Sequence, residues 1–252
     1  MAIPFASELA VLVVLTDLAL ALVVLGGLIR ATRRIGLETR SRVVVVTATA
    51  AVLALWLGTA YTVTRTGFGP LDLPVLALIG GPVVLGYGLF VASPTWRRLV
   101  RATPNSWLVG VQAYRVIGVV FLLLWAAGGL PAYFALPAGV GDVLTGVGAV
   151  AAAYLVARRH PRWRTVALGW NAFGLADLVV AVGAGSTLLA GPLSAVLPAE
   201  TSTAAVVAFP LGMIPTFLVP ISVLLHLYSM TLLWEGRSAV ASVPVRGRDT
   251  DS

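Results

Sequence analysis

The chain has 252 residues, of which 59% are hydrophobic and only 11% are charged, and its mean hydropathy is +0.97. This composition lies outside the range of soluble globular domains and indicates that lipid surrounds most of the chain. The absence of cysteine excludes disulfides, thiolate metal sites and a cysteine nucleophile. The net charge of +7 comes from short basic segments between apolar runs, so we expect no nucleic-acid partner.

A helix needs roughly 20 apolar residues to cross the hydrocarbon core of a bilayer, and the chain contains seven runs of about that length. They lie at about residues 8–30, 43–64, 73–92, 107–130, 138–156, 165–184 and 205–234. We therefore expect an all-α polytopic bundle of seven transmembrane helices, which forms a single domain over residues 1–234. The tail, residues 235–252, is rich in Ser, Arg and Asp, and we expect it to be disordered in the cytoplasm.

The arginines predict the orientation, because loops on the cytoplasmic side of a membrane are enriched in basic residues. Fifteen of the seventeen basic residues fall in the first, third and fifth connections and in the tail, and the exceptions are Arg65 and Arg115. This alternation predicts an N-terminus outside and a C-terminus in the cytoplasm. The simplest expectation is a multi-pass protein of a bacterial plasma membrane, with the lipid bilayer as its surroundings.

The first three spans are expected to serve mainly as scaffold. Asp17 is the exception, because a charge at the bilayer centre costs upward of about 2.5 kcal/mol. It either joins an intramembrane polar layer or bonds to a neighbouring helix. The Gly-Gly-Pro sequence at residues 80–82 predicts a break in the third span. Residues 95–101 then predict either a short amphipathic helix at the inner interface or a solvated basic loop.

The fourth span carries Arg115, whose guanidinium is always charged and therefore needs a negative partner. Gln112 lies one turn earlier on the same helix face, so the amide and the guanidinium can address one target. That target is either an anionic ligand or the carboxylate of Asp17 or Asp177. A purely structural ion pair and a side chain that reaches the inner interface are the alternatives.

The fifth and sixth spans each carry an aspartate. Asp142 follows a proline and a glycine at the outer start of the fifth span, a position that favours a carboxylate as a helix cap. Asp177 lies deep in the sixth span, either as a protonatable functional group or as a packing partner of Arg115. Residues 138–149 and 173–184 share a Gly-x-x-Asp element, which reflects either an internal repeat or chance in a chain rich in small residues.

In the last span Ser222, His226 and Ser229 share one helix face. His226 can exchange a proton near neutral pH, as a proton relay requires, and its alternative is a packing histidine bonded to a serine. Three prolines recur at intervals of five residues from Pro210, and each removes a backbone donor. The carbonyls left free must bond to neighbouring helices, water or a bound solute.

Several chemistries have no residues to support them. The chain has no lysine for a Schiff base, and its two histidines cannot form a bis-histidine haem or a three-ligand zinc site within the membrane. No phosphate-binding glycine loop followed by lysine occurs. We therefore expect no metal and no cofactor, and we name no catalytic residue.

Three functional hypotheses follow. The candidate ligand- or proton-binding residues are Asp17, Gln112, Arg115, Asp142, Asp177 and His226. Together with the helix breaks they favour a small-solute or proton-coupled carrier, or a ligand-binding protein of the same build, whose partner is a small molecule. The alternatives are a non-transporting sensor or assembly subunit in which these residues lock the helices, and an intramembrane enzyme that uses Asp142 and Asp177 on a lipid-like substrate. The sequence carries no signal for an oligomeric state.

Overall fold

The structure is a computed structural model that describes residues 6–186, 192, 195–196 and 202–241. Over these residues the secondary structure is helical and contains no strand. Within the described part of the chain, seven helices are long and apolar enough to cross a membrane. The predicted bundle of seven spans is therefore confirmed, and the side of the membrane on which each terminus lies stays a prediction.

The first three spans are single α-helices: α1 (Ala6–Arg34), α2 (Thr39–Arg65) and α3 (Leu73–Ala92). Much of their surface is apolar and exposed, for example Leu55 and Leu85, which are 73% and 74% exposed. Such side chains face lipid in a bilayer. The break predicted at residues 80–82 is wrong, because α3 is continuous through Pro82. A helix surrounded by lipid has no other partners for its backbone, which favours keeping the remaining helical hydrogen bonds.

A short amphipathic helix, α4 (Pro94–Ala102), follows α3. The hydroxyl of Ser93 caps it and accepts a hydrogen bond from the N–H of Trp96 at 3.3 Å. Leu99 and Val100 are buried against the bundle, whereas Arg101 is exposed. Of the two structures predicted for residues 95–101, the amphipathic helix is the one observed.

The fourth span, Asn105–Ala126, contains three helical segments. These are α5 (Asn105–Gly110), a 3₁₀ helix (Val111–Gly118) and α6 (Val119–Ala126). Residues three apart are eclipsed in a 3₁₀ helix, so Gln112, Arg115 and Gly118 project from one side. That side packs against the fifth span and the last helix.

The fifth and sixth spans are α7 (Ala132–Ala157) and α8 (Trp163–Gly185), which pack closely against each other. The predicted start of the fifth span at residue 138 is too late, because α7 begins six residues earlier and continues through Pro137. Transmembrane helices tolerate a proline where neighbouring groups satisfy the backbone. Asp142 therefore lies well inside α7, and its predicted role as a helix cap is wrong.

The last span departs most from the expected single helix at residues 205–234. A 3₁₀ turn (Thr203–Val206) and a set of turns lead to a π-helical segment (Ile214–Leu218), from which α9 (Val219–Ala241) continues. The part long and apolar enough to cross the membrane is Ile214–Gly236. The prolines explain the irregular start, because each one removes a backbone donor that a regular helix uses.

The last span is the centre of the bundle. In its most apolar stretch 67% of the residues are buried, compared with 11% in α2 and in α3. Polar side chains on this helix are therefore shielded from lipid on most sides. α9 extends beyond the predicted end at residue 234, and residues 242–252 of the expected disordered tail lie outside the described residues.

Candidate functional site

Arg115 lies at the centre of the bundle and is 2% exposed. Its Nε donates to Oδ1 of Asp142 at 2.8 Å, and its Nη2 donates to Oδ2 of Asp177 and lies 2.6 Å from Oδ1 of Asp142 in an ion pair. Its Nη1 donates to the carbonyl of Gly174 and to Nε2 of His226, both at 3.2 Å. Each of the three guanidinium nitrogens therefore donates at least one hydrogen bond. Arg115 therefore ties the fourth span to α7, α8 and α9.

The charge cluster, as we call Arg115, Asp142, Asp177 and His226, contains more acid than base. With both carboxylates ionised and the imidazole neutral, one positive and two negative groups give a net charge of −1. An uncompensated charge is costly inside a bilayer. The cluster is electrically balanced when one carboxylate holds a proton or when a cation lies beside it.

Hydrogen bonds fix the tautomer of His226, which is fully buried. Its Nδ1 lies 2.9 Å from Oδ1 of Asn171, whose amide nitrogen donates to the carbonyl of Ala167 at 2.7 Å. Because the amide oxygen of Asn171 only accepts, Nδ1 of His226 carries the hydrogen. Nε2 then accepts from Arg115, since a guanidinium only donates. His226 is neutral and positions Arg115, and a role as proton relay would require Arg115 to move away.

A chain of hydrogen bonds continues from His226 towards the end of the bundle where α5 begins. The amide nitrogen of Asn171 donates to Oγ of Ser229 at 3.0 Å, and Ser229 donates to Oδ1 of Asn105 at 2.5 Å. Asn105 also donates to the carbonyl of Ser229 at 3.1 Å. Neither asparagine was among the residues predicted from the sequence. Asn171 carries a usable signal, because an amide inside an apolar span needs a partner almost as much as a charge does.

Gln112 and Arg115 do not share a target. The amide nitrogen of Gln112 donates to the carbonyl of Ser222 at 3.0 Å, and its amide oxygen accepts from the Ser222 hydroxyl at 2.9 Å. The hydroxyl of Tyr114 contacts the same serine hydroxyl and lies 3.0 Å from the carbonyl of Leu218, and its single hydrogen is donated to one of these two acceptors. These contacts fasten the beginning of α9 to the 3₁₀ helix, one turn from His226.

Asp17 lies apart from the charge cluster. It is fully buried, and neither carboxyl oxygen has a hydrogen-bond partner among the described residues. α1 packs mainly against α2, α4, the 3₁₀ helix and the π segment, not against the pair of helices that carry the other aspartates. No ion pair or hydrogen bond joins Asp17 to the charge cluster, so its place in a common polar layer stays a prediction, whereas Arg115, Asp177 and His226 do meet.

An apolar cleft lies between α3, α6, α7, α8 and the π segment. Asp142 is the one charged residue among the described residues that line it. A smaller space shares Asp142 and Leu178 with this cleft and reaches Tyr114 and Arg115. The cleft therefore extends to the charge cluster. Among the described residues, no group of three His, Cys, Asp or Glu side chains is placed to hold a metal ion.

Residues 72–234 match a family described as a domain of unknown function, DUF8737. The chain belongs to this family. No curated protein and no solved structure matches the chain. The DUF8737 region extends from the residue that precedes α3 into α9, so it contains the whole charge cluster and leaves out α1, with Asp17, and α2.

Within the DUF8737 region the two Gly-x-x-Asp elements lie on neighbouring helices, and both aspartates bind the same guanidinium. Small residues make this approach feasible. A Cβ at Gly118 would collide with the side chain of Asp142, and a Cβ at Gly141 would collide with that of Asp177. The sequence similarity between residues 138–149 and 173–184 thus corresponds to a pairing of α7 with α8 around one arginine.

Proposed function

We propose that this protein is a proton-coupled carrier of a small solute in the cell membrane, with its N-terminus outside. The charge cluster is its binding site for the proton and the solute. The observation that carries this proposal is a buried arginine held between two aspartates, with one excess negative charge, beside an apolar cleft. Ionisable groups at such depth are functional candidates in transporters because they are costly to keep.

Asp142 is the carboxylate that exchanges the proton. Its side chain is 13% exposed and lines the cleft, whereas that of Asp177 is 4% exposed and does not. The sequence favoured Asp177 for this role, but in this proposal Asp177 permanently compensates the charge of Arg115, which is supported by its ion pair with Arg115 and its deeper burial. When Asp142 takes up a proton, the ion pair of Arg115 with Asp177 remains, and the cluster is neutral.

Two segments provide sites where the helices can change shape. The 3₁₀ helix Val111–Gly118 carries Arg115, and the π segment Ile214–Leu218 contributes to the cleft. Both depart from regular α-helical hydrogen bonding, as is common at hinges and functional sites. Irregular helices at the middle of a bundle are also a recurrent feature of carriers that expose a binding site to each side in turn.

Proton-coupled transport is testable in proteoliposomes that contain a pH-sensitive dye and an acidic lumen. A panel of solutes, namely alkylammonium salts, carboxylates and neutral sugars, is added outside, and the luminal pH is followed. We expect at least one class to raise the luminal pH several-fold faster than in protein-free liposomes. Asp142→Asn should abolish this effect, because it removes the exchangeable proton, whereas the exposed control Glu38→Gln should not.

A purely structural role of the charge cluster is the second candidate, and it is supported by the hydrogen bonds that all three nitrogens of Arg115 donate within the bundle. In that case the cluster only holds the helices together, as buried polar groups do in non-transporting membrane proteins. One outcome is that the luminal pH responds equally in liposomes with wild type, with Asp142→Asn and without protein, for every class in the panel. This result would overturn the carrier proposal and favour the purely structural role.

A further inference from the structure

The hydrogen bonds of Arg115 and the open oxygen of Asp142 favour a solute that is positively charged. Arg115 is 2% exposed, and each of its three nitrogens already donates to Asp142, Asp177, Gly174 or His226. An anion would have to displace an aspartate and would add to the excess negative charge. Oδ2 of Asp142, in contrast, forms no hydrogen bond among the described residues, so it is an open acceptor beside the cleft.

The residues that line the cleft favour a solute whose uncharged part is apolar. Phe121 and Phe134 pack edge to face, with ring centroids 5.2 Å apart, and Leu76, Ile79 and Leu178 line the same space. The polar hydroxyl of Ser186 is already engaged, because it donates to the carbonyl of Gly183 at 3.2 Å. A polyhydroxylated solute would leave its polar groups unpaired against such walls.

We propose that the solute is a lipophilic monocation, an inference that rests on the proposed function. Its cationic group lies beside the carboxylate of Asp142, and its alkyl or aryl body lies against Phe121 and Phe134. The cation replaces the proton: protonated Asp142 and a free cation give the ion pair of Asp142 with the cation and one released proton. The cluster is neutral before and after, so the exchange avoids an uncompensated charge in the membrane.

The other ionisable groups near Asp142 do not provide this proton. Arg115 stays charged and remains paired with Asp177, and His226 is the neutral tautomer that its hydrogen bonds require. The hydroxyl of Tyr114 is engaged with Ser222 and with the carbonyl of Leu218. Cation affinity should therefore depend on pH through one carboxyl group, and it should decrease as the pH falls, up to about tenfold per pH unit.

The experiment measures binding, so its failure is distinguishable from a failure of transport. Purified protein in nanodiscs is dialysed to equilibrium against labelled octyltrimethylammonium, a permanently charged cation, and protein-free nanodiscs provide the background. Octanol and octanesulfonate are the neutral and anionic probes of the same chain length. We expect saturable binding of one cation per chain, at least about tenfold tighter than that of either other probe, with about one proton released in weakly buffered solution.

Two variants distinguish the contribution of the Asp142 charge from that of the space in the cleft. Asp142→Asn removes the negative excess but leaves the Arg115–Asp177 pair intact, so the preference for the cation should disappear while the protein still folds. Ile79→Trp fills the cleft without altering a charge and should weaken the binding of the cation by about tenfold or more. Leu55→Trp, a matched substitution on the lipid-facing side of α2, should have no effect.

The remaining outcomes overturn the inference. Equal binding of octanol indicates a groove for lipid chains, and tighter binding of octanesulfonate indicates an anion site on Arg115. Binding of the cation at background level, or unchanged binding in both Asp142→Asn and Ile79→Trp, also removes it. If the solute panel nevertheless moves protons through the wild type, the proposed function stands and only the class of solute is wrong.

Discussion

Arg115 and the two aspartates make unequal contributions to the stability of the bundle. Removing one aspartate leaves one positive and one negative group, which still pair. Removing the arginine leaves two carboxylates close together in a buried site, with no positive partner in the cluster. The breaking of a buried ion pair is expensive because a charge without a partner remains in a medium of low dielectric constant.

Arg115→Gln should therefore lower the free energy of unfolding by about 3–5 kcal/mol at neutral pH, whereas Asp177→Asn should cost less than about half of that. Denaturant unfolding in detergent micelles measures both values. Asp17→Asn is the matched control, since Asp17 is equally buried but has no ion pair. Equal destabilisation by Arg115→Gln and Asp177→Asn would show that the cluster carries no excess negative charge.

Among single residues, the sequence predicted that Arg115 needs a negative partner and named Asp17, Asp177 or an anionic ligand, because a charge in lipid is costly; Asp177 is one of the partners observed. It missed the role of Asp142, since Pro137 was interpreted as the start of a helix and the carboxylate as its cap. The isolation of Asp17 depends on how α1 packs against the 3₁₀ helix and the π segment, and no local pattern encodes that packing.

Among the helical elements, the π segment shows how a proline in the membrane is accommodated. Pro220 has no N–H, so the carbonyl of Thr216, four residues earlier, lacks its usual helical donor. The indole Nε1 of Trp56 on α2 donates to this carbonyl at 2.9 Å. The Trp56 ring also packs on Phe217, with centroids 4.8 Å apart. A side chain from a scaffold helix thus completes the backbone of the central span.

Trp56→Phe should destabilise the protein by about 1–3 kcal/mol, because it keeps an aromatic ring but leaves a buried carbonyl without a donor. Thermal unfolding in detergent measures the change. Trp125→Phe is the matched control, since Trp125 is 41% exposed on α6, and it should change stability by less than about 0.5 kcal/mol. Similar losses in the two variants would mean that the indole hydrogen bond contributes little.

The number of spans could be predicted from composition because the length of an apolar run is a property of the local sequence. The π segment could not, because its carbonyls at Thr216 and Leu218 bond to the side chains of Trp56 and Tyr114 on other helices. The predicted break at residues 80–82 was wrong, because α3 continues as a helix through Pro82.

In the molecule as a whole, the arginine-rich connections lie at one end of the bundle. Arg98 donates to the carbonyl of Ile35 in the first connection at 3.3 Å. Arg101 forms two hydrogen bonds to Glu235 in α9, at 3.0 and 2.7 Å, and this contact raises the pKa of Arg101. These contacts of Arg98 and Arg101 place the first connection, the third connection and the last part of α9 on one face of the bundle. Separately, the backbone N–H of Phe209 bonds to the carbonyl of Thr64 at the last turn of α2, 2.9 Å away.

This arrangement makes the orientation testable with two single cysteines, because the chain has no cysteine of its own. Glu38 lies in the first connection and Thr66 in the second, and both are exposed. If basic residues face the cytoplasm, a membrane-impermeant maleimide should label Thr66→Cys in intact cells and Glu38→Cys only after permeabilisation. The reverse pattern would place the N-terminus inside, and labelling of both without permeabilisation would indicate two orientations. Because Arg98 and Arg101 tie the first connection, α4 and α9 together, the result also fixes the side of the membrane on which Asn105 and its hydrogen-bond chain to His226 begin.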